Sequence, residues 1–416
     1  MKKAILGCVM FIAIISVGWA VGNQQQSGKI SLTIWHNATN QSGVEPSTID
    51  FNKANPNIEV TAAFYNTDGI KDATKIAASS RTLPDMWYNW GGTLASFFVE
   101  NGLTYDLTAY SKANNWDKIF LPAMLSLSTI DGKVSGYPFA LSMAGIYYRK
   151  DIFQKFNLKE PQTFAEFEKV CDTLLANGIT PLASGGLYGW HLMRYLDQLV
   201  EHYAGQELHD KILLFQAPFD CDAVVQALAK LKEWSDKGYF PAGFLTADPN
   251  STYINVFAGK CAMDIQTPGY ETTIAREKQD INNFGAFPLP NDKGNRMAYW
   301  GNMVQLNVNL DSARLDACMK YLNYVYSNEN ANRYASGINV PLPRIDATVP
   351  ADRPNSALLR DYVSKNGGFT ITDQAFPTVV ADALFKVQDA LVNGQITPKQ
   401  GASTVQAAID TYLKTK

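Results

Sequence analysis

The chain has 416 residues, more than the roughly 250 to 300 at which a single hydrophobic core stops growing, so two domains are expected. Apolar residues make up 46% of the sequence and charged residues 18%, as in ordinary globular proteins, and the formal net charge is −3. The sequence has no basic tract that could hold a nucleic acid or an anionic membrane, so neither partner is expected.

The N-terminus has the features of a secretory signal peptide. Two lysines precede an apolar run over 4–20, which has the length of a signal core and is short for a membrane-spanning helix. Small residues predict cleavage after Ala20 or Gly22, and we prefer Gly22, so the signal would cover 1–22. Cys8 superficially resembles the cysteine of a lipoprotein box, but the apolar stretch follows it, so a lipid anchor is not expected. The mature protein is therefore predicted to be exported.

Four cysteines remain after the predicted signal, without a CxxC pair or a Cys/His spacing typical of a metal site. An exported protein can form disulfides, yet a chain of this size does not need them. Free buried thiols are the simpler interpretation, and their pairing stays open. These cysteines are Cys171, Cys221, Cys261 and Cys318.

The first part of the chain alternates between predicted strands and helices. This βαβ order predicts a parallel sheet covered by helices. The predicted elements are a strand over 30–35, a polar loop over 36–41, a helix over 47–54, a strand over 58–64, a helix over 72–80 and a strand over 83–88.

The stretch over 131–153 marks a predicted passage between two sheets. An Asp-Gly turn leads to Tyr137, Pro138 and Phe139, and a second apolar run follows. Because proline lacks an N–H donor and has a fixed φ, Pro138 is not expected inside a central strand ladder. We interpret these three residues as a hinge segment between two lobes, and Pro341, in a stiff Val-Pro-Leu-Pro run, as a second candidate.

Strands and helices also alternate over the rest of the chain. Thr163 opens the first of these helices with a capping box. Further predicted elements are strands over 178–183, 261–265, 284–288 and 304–308, an aromatic segment over 297–302 that is another crossing candidate, and helices over 163–174, 190–201, 222–237, 311–326, 377–393 and 398–414.

Sequence signatures of common enzymes are missing. The chain contains no GxxxxGK[ST], GxGxxG, HExxH or GxSxG, which argues against phosphate cradling, dinucleotide binding, zinc hydrolysis and a nucleophile elbow. No cofactor and no metal are expected. Catalytic carboxylate pairs are defined by their separation in space, so a secreted glycosidase stays open as an alternative.

Several predicted strand ends carry aromatic residues beside amides or small residues. Ligands of open α/β sheets bind beyond the carboxyl ends of strands. Aromatic faces next to neutral hydrogen-bonding groups suit a sugar, which has an apolar C–H face and a rim of hydroxyls. Core packing is an equally simple interpretation for Trp90, Trp190 and Trp300, and Trp35 is the least expected at a site because strand alternation can turn it inward.

Five segments, in this order along the chain, resemble those of the bacterial extracellular solute-binding proteins of carbohydrate ABC importers, a group that includes the maltodextrin-binding protein. Each segment is short, and the ordered set is what makes the resemblance specific. The segments are LTIW at 32–35, FNKANPNIEV at 51–60, PD at 84–85, GKVSGYP at 132–138 with YYRKD at 147–151, and GKCAM at 259–263.

The resemblance implies two doubly wound α/β lobes joined by a three-segment hinge, of the periplasmic-binding-protein type II kind, with a sugar in the cleft between them. It places one lobe at 28–138 plus 303–340 and the other at 139–302 plus 341–416. It also implies a monomeric, non-enzymatic protein that delivers a mono- or oligosaccharide to the membrane permease subunits of an ABC transporter.

The resemblance and the strand ends together give a set of expected ligand-binding residues. Ser142 stands where the maltodextrin binder has a glutamate, and Gly269-Tyr270 where the family often has a tryptophan, so another sugar is open. A phosphodiester or polyamine ligand is less expected because the predicted strand-end side chains are neutral. The expected residues are Trp35, His36, Asn37, Asn40, Gln41, Asp68, Asn89, Trp90, Ser142, Trp190, Tyr270, Tyr299, Trp300 and Asn302.

Overall fold

The computed structural model describes residues 28–335, 337–338 and 342–415. The predicted signal over 1–22, Cys8 and the hinge candidate Pro341 lie outside the described residues.

Twelve strands in the described residues form two large sheets and one hairpin. The first sheet has the order β12-β11-β3-β1-β2, with β6 also paired to β11, and the second has the order β10-β7-β9-β8. The strands are β1 (Ile30–Asn37), β2 (Ile58–Tyr65), β3 (Met86–Trp90), β4 (Thr129–Ile130), β5 (Lys133–Val134), β6 (Tyr137–Met143), β7 (Gly145–Arg149), β8 (Thr180–Ala183), β9 (Cys261–Gln266), β10 (Phe284–Phe287), β11 (Met297–Leu306) and β12 (Gly368–Thr370).

Helices cover both sheets. They are α1 (Gln41–Ala54), α2 (Thr67–Ser80), α3 (Thr93–Glu100), α4 (Thr108–Ala113), α5 (Trp116–Ile119), α6 (Pro122–Ser128), α7 (Lys150–Lys155), α8 (Phe164–Ala176), α9 (Trp190–Leu213), α10 (Asp222–Lys237), α11 (Tyr253–Phe257), α12 (Gly269–Arg276), α13 (Ser312–Val325), α14 (Asn328–Arg333), α15 (Pro354–Asn366), α16 (Thr372–Ala375), α17 (Thr378–Val392) and α18 (Pro398–Leu413).

Each sheet has its own hydrophobic core. Leu32, Phe51 and Leu322 belong to the core beside the first sheet, whereas Phe167 and Trp234 belong to the core beside the second. β1 runs parallel to β2 and β3, while β11 is antiparallel to β3 and β6. Both sheets are therefore mixed, and the predicted architecture of two α/β lobes is confirmed.

The passage between the sheets lies later than the sequence predicted. Pro138 is inside β6 rather than between two sheets, beside an irregularity in the pairing with β11. β6 pairs with β11 alone in the described chain, so it is an edge strand, where a missing N–H leaves no ladder bond unmade. The chain leaves the first sheet at Ala144, between β6 and β7.

The cysteines that the structure describes are free thiols. Cys171, Cys261 and Cys318 are buried, and Cys221 is half-buried. Burial raises the pKa of the Cys261 thiol to about 12, so it is uncharged and unreactive at neutral pH. Among the described helices, none combines the length and apolar character needed to cross a membrane.

The short helix α16 is held in place by a buried carboxylate of α9. The two oxygens of Asp197 accept hydrogen bonds from the backbone N–H of Thr372 at 3.0 Å and from its hydroxyl at 2.6 Å. Burial raises the pKa of Asp197 to about 7, against the lowering effect of these two bonds. The carboxylate therefore fixes the start of α16 relative to α9.

Asp197→Asn should change how stability depends on pH. Because the folded-state pKa lies above the ordinary value of 3.8, the folded protein binds this proton more tightly than the unfolded chain, and the contribution of Asp197 falls as pH rises from 3.8 to about 7. The measured quantity is the free energy of unfolding of the unsubstituted protein minus that of the Asp197→Asn variant, obtained by urea titration. Between pH 3.8 and about 7 this difference should decrease by up to about 4 kcal/mol. A pH-independent difference would contradict this expectation.

Candidate functional site

A cavity of about 180 Å³ lies where the two sheets meet. Strand ends Asn37, Trp90 and Gln266, of β1, β3 and β9, reach its wall, as expected for an α/β ligand site. Further lining residues come from β6 and β11 and from helices α2, α9, α12 and α16. Both predicted lobes therefore contribute to one cavity.

The wall from the first sheet is polar and fixed by short-range hydrogen bonds. Asn37 Oδ1 accepts from the backbone N–H of Thr39 at 2.9 Å, and Asn37 Nδ2 donates to Thr67 Oγ1 at 3.3 Å. Tyr88 and Trp90 project from the same face of β3, with ring centroids 4.8 Å apart in an edge-on arrangement. The wall is thus preorganised by its own contacts.

Each of the three tryptophans in the cavity wall carries a cation over its ring. Lys71 Nζ lies 5.0 Å from the centroid of a Trp90 ring. The guanidinium carbon of Arg194 lies 4.6 Å from Trp190 and 4.8 Å from Trp300, so one arginine joins an aromatic residue of α9 to one of β11. Such contacts are stabilising because the ring face is electron-rich, and they hold both rings in fixed orientations.

Two charged side chains in the wall have no ion-pair partner within 4 Å among the described residues, namely Arg194 and Asp373. Arg194 donates to the Ile265 carbonyl at 3.3 Å. Burial lowers the pKa of Arg194 to about 10, partly offset by Asp264 and Asp373, so the guanidinium stays charged at neutral pH. Burial raises the pKa of Asp373, against the opposing effect of Lys71 and Arg194.

Three further polar atoms in the wall have no hydrogen-bond partner in the described structure. They are Trp190 Nε1, Tyr270 Oη and Asn302 Oδ1. Buried polar atoms normally have a partner, and leaving one unsatisfied costs about 1 to 3 kcal/mol. One ring N–H donor, one hydroxyl and one amide acceptor of cavity-lining residues therefore have no partner among the described residues.

A buried carboxylate behind the wall positions two of its side chains. Asp264 Oδ2 accepts from Thr252 Oγ1 at 2.8 Å and from Gln266 Nε2 at 3.1 Å. Its other oxygen lies 3.1 Å from His191 Nε2. Because His191 Nδ1 accepts from the Gly185 N–H at 3.2 Å, a neutral imidazole carries its proton on Nε2, which donates to the Ile265 carbonyl at 3.2 Å.

The profile of the bacterial extracellular solute-binding proteins matches residues 49–354. The chain belongs to this family. The multiple sugar-binding protein of Streptococcus mutans is 23% identical over 94% of this chain and 97% of that protein. An uncharacterized ABC transporter extracellular-binding protein of Pyrococcus horikoshii is 28% identical, over 58% of this chain and 56% of that protein.

Solved structures share the fold of this solute-binding protein. A chitin oligosaccharide binding protein superposes with a TM-score of 0.83, covering 92% of this chain and 98% of that one at 22% identity. Maltose-bound MalE3 of T. maritima gives a TM-score of 0.79, covering 92% and 100% at 17% identity. The predicted resemblance to the solute-binding proteins of carbohydrate ABC importers is confirmed.

The structure brings half of the expected ligand-binding residues to the cavity wall. Most of them come from strand ends or from the paired strands β6 and β11, where sequence patterns indicate the position well. These residues are Asn37, Trp90, Ser142, Trp190, Tyr270, Trp300 and Asn302.

Three expected residues in strands do not line the cavity. Asn89 alternates with Tyr88 and Trp90, and its amide donates to Gln305 Oε1 at 2.7 Å instead of facing the cavity. Tyr299, next to Trp300, packs on hydrophobic residues behind the wall. The two-residue period of a strand decides the positions of Asn89 and Tyr299. Trp35 is two residues before the cavity residue Asn37 and therefore on the same face of β1, but it packs on Tyr65, with ring centroids 5.3 Å apart, and does not line the cavity.

Asn40 and Gln41 are displaced because the predicted polar loop is short. α1 begins at Gln41, before the predicted start at residue 47, and it continues through Pro46. Asn40 is buried at the N-cap of this helix, and Gln41 is exposed and donates to Glu45 Oε2 at 3.2 Å. Neither residue lines the cavity.

Asp68 and His36 are close to the cavity but not in its wall. Asp68 accepts from Lys71 and from Asn250, each at 3.4 Å, and so joins two residues that line the cavity. His36 is completely buried, with Nε2 2.7 Å from Tyr326 Oη and its ring against Phe139. His36 is therefore a core residue that supports β1 from behind.

Sequence reasoning missed the charged residues of the cavity. Arg194 lies four residues after Trp190 on a predicted helix, a spacing that puts both on one face and could have revealed it. Gln266 follows a predicted strand directly, another usable signal. Asp373 lies in a helix of four residues without any periodic pattern, so no sequence signal indicated it.

His36 should not titrate in the ordinary range. Burial lowers its pKa to about 4, although the Asn37 carbonyl raises it slightly, so the ring stays neutral in the folded protein at pH 5. Because the unfolded chain takes up this proton near 6.5, stability associated with His36 is present above that pH and is lost as pH falls towards 4. The imidazole NMR signals of His36, assigned through a His36→Phe variant, should be constant between about pH 7 and 5. A midpoint near 6.5 would contradict the burial.

Proposed function

We propose that this solute-binding protein captures an uncharged sugar in the cavity and presents it to the permease of an ABC importer. The observation that carries the proposal is the wall itself, which combines three tryptophans with unpaired hydrogen-bonding groups of both kinds. A sugar offers an apolar C–H face for the rings and hydroxyls that both donate and accept. A ligand that binds the closed form more tightly than the open form would shift the population towards the conformation in which the lobes close around it.

The donors and acceptors of the wall match hydroxyl groups. Arg194 and Trp190 Nε1 can only donate, whereas the carboxylate of Asp373 and Asn302 Oδ1 accept. A hydroxyl satisfies either kind, and a ligand lacking it would leave buried groups unpaired. A sugar with several hydroxyls is the ligand class that fits this mixture.

The charges of the wall favour an uncharged ligand over an anion or a cation. Lys71 is paired with Asp68 at 3.4 Å, and Arg276 with Glu277 at 3.0 Å. The remaining Arg194 and Asp373 carry opposite charges. An anionic ligand would leave Asp373 uncompensated and a cationic ligand would leave Arg194 uncompensated, and either arrangement is unfavourable in a buried site.

The sequence argument against charged solutes rested on neutral strand ends, but the cavity also contains cationic side chains from helices. The opposite charges of Arg194 and Asp373 therefore take the place of that argument. If the protein were found to bind a charged ligand, a glycerol phosphodiester or a polyamine would be the alternative to a sugar. The names of relatives also favour sugars, since they include a multiple sugar-binding protein and a probable sugar-binding periplasmic protein of Mesorhizobium japonicum.

A binding role without catalysis is favoured over a glycosidase. Canonical glycosidases place two carboxyl groups about 5 to 10 Å apart at the bond that they cleave. Among the cavity-lining residues of the described chain, Asp373 is the single carboxylate. We accordingly infer an exported, monomeric protein that hands its ligand to membrane permease subunits without chemical change. Sugar release from an oligosaccharide, lost in an Asp373→Asn variant, would favour the glycosidase instead.

Titration with sugars should report binding through tryptophan fluorescence, because three tryptophans line the cavity. A panel of neutral mono- and oligosaccharides should contain at least one ligand that changes the emission and lowers the radius of gyration in small-angle X-ray scattering. Matched uronic acids and amino sugars should bind more weakly than their neutral parents. A response to glycerol phosphodiesters or polyamines alone would overturn the sugar proposal.

Trp190→Ala should weaken binding of the sugar so identified by about tenfold, since one aromatic face and one N–H donor are lost. Trp35→Ala is the matched control, because Trp35 packs on Tyr65 outside the cavity and its loss should leave Kd unchanged. Isothermal titration calorimetry gives both values. Equal effects of the two substitutions would place the sugar elsewhere.

A further inference from the structure

One edge of β11 changes partner in the middle of the strand. Met297–Tyr299 pairs with β12, and Asn302–Leu306 pairs with β3. β6 occupies the opposite edge, since Tyr299 pairs with β12 and β6 at once. On the edge shared by β12 and β3, no strand of the described chain therefore pairs with Trp300 or Gly301.

The side chain of Gln374 fills this gap. Its Oε1 accepts from the Gly301 N–H at 3.1 Å, and its Nε2 donates to the Gly301 carbonyl at 3.0 Å. The amide thus makes the pair of bonds that a neighbouring strand would make. Gln374 is 2% exposed, so water cannot replace these bonds without movement of the protein.

The helix that carries Gln374 is attached to both sides of the cleft. Asp197 of α9 binds Thr372 at its start, which connects it to the second core. On the other side, the hydroxyl of Thr93 in α3 donates to the carbonyl of Phe376 at 2.5 Å and lies 3.3 Å from that of Gln374. α16 therefore lies between the elements that would move relative to one another.

The opposite edge of β11 is irregular at the same level. Its pairing with β6 shifts register between Asn302 and Met303, so that Phe139 is skipped. The sequence predicted lobe boundaries after residues 138 and 302, which are next to this register shift. These boundaries stay a prediction. Bulges are places where a strand pair bends most readily.

We propose that Gln374 is a positioning residue that holds β11 at the hinge, and with it the two cavity residues that flank Gly301. Trp300 and Asn302 line the cavity in this conformation, in which Asp68 of α2 also accepts a hydrogen bond from Asn250 at 3.4 Å. Without the amide bridge, the Gly301 carbonyl still accepts from the Gly91 N–H at 2.9 Å, but the bond from the Gly301 N–H to Gln374 is lost. The strand can then bend more freely, and the binding-competent conformation is populated less.

The test compares Gln374→Met with Gln406→Met. Gln406 is a matched control because its amide also binds a backbone N–H, that of Phe219 at 2.6 Å, but on α18 away from the cleft. Gln374→Met should raise the radius of gyration of the sugar-free protein in small-angle X-ray scattering and weaken the sugar Kd roughly five- to tenfold, with the sugar-saturated radius unchanged. Gln406→Met should change neither quantity.

A second substitution separates positioning from general stability. In Gln374→Glu the ionised carboxylate can accept from Gly301 but cannot donate to its carbonyl, whereas the protonated form can do both. The sugar-free Gln374→Glu variant should therefore have a larger radius of gyration than the unsubstituted protein at neutral pH. This difference, measured at the same pH for both proteins, should disappear on acidification. A role in stability alone predicts a lower Tm with the sugar-free radius and Kd unchanged, and that result would overturn the proposal.

The proposal rests on closure of the cleft, but its test does not need a known sugar. If the unsubstituted protein binds no sugar, the proposed function fails, and the sugar-free scattering of the Gln374→Met variant still decides whether the amide holds the hinge. If that variant does not fold, the pH dependence of Gln374→Glu decides instead. Equal scattering of the substituted and unsubstituted proteins at every pH would exclude the role of Gln374.

Discussion

The antiparallel pairing of β6 with β11 is the constraint on which the rest of the structure depends. These two strands run together between the two cores, so every residue on them is committed to a face by strand alternation. Ser142, Trp300 and Asn302 face the cavity. Gly301 lies between two of them, where a Cβ atom would come within 2.7 Å of the Met124 side chain. A larger residue at this position would therefore have to displace the flexible end of the Met124 side chain in α6.

The cavity wall is stiff because its groups are fixed by contacts within the protein. Arg194 links Trp190 to Trp300, and Asp264 holds Thr252 and Gln266. A ligand that enters such a wall orders few side chains, so little of its interaction energy is lost to conformational entropy. In the proposed function, the cavity groups left without partners would then be the ones that select the ligand.

Local signals in the sequence were sufficient for the architecture. α18 begins after the capping box at Thr397 and α10 ends before the left-handed Gly238, in agreement with the predicted helices over 398–414 and 222–237, because both signals depend on neighbouring residues alone. The site was predicted less well. Asn89 and Tyr299 were assigned to it because aromatic and amide residues cluster in the sequence, yet strand alternation turns them away. Asp373 reaches the cavity through tertiary packing of a helix too short to have a pattern.

The proposed position of the hinge inside a strand pair would have an energetic consequence for closure. A hinge made of a loop would lose or gain backbone hydrogen bonds as it moved, whereas β6 and β11 can bend at their register shift with most of their ladder intact. The two end states then differ little in backbone energy, so the few contacts that differ decide between them. A sugar that contacts both walls needs only a modest difference in affinity to shift such a balance, because the population responds exponentially to that difference. Side-chain bonds at the bend, such as those of Gln374 to Gly301, act on the same balance in the absence of ligand.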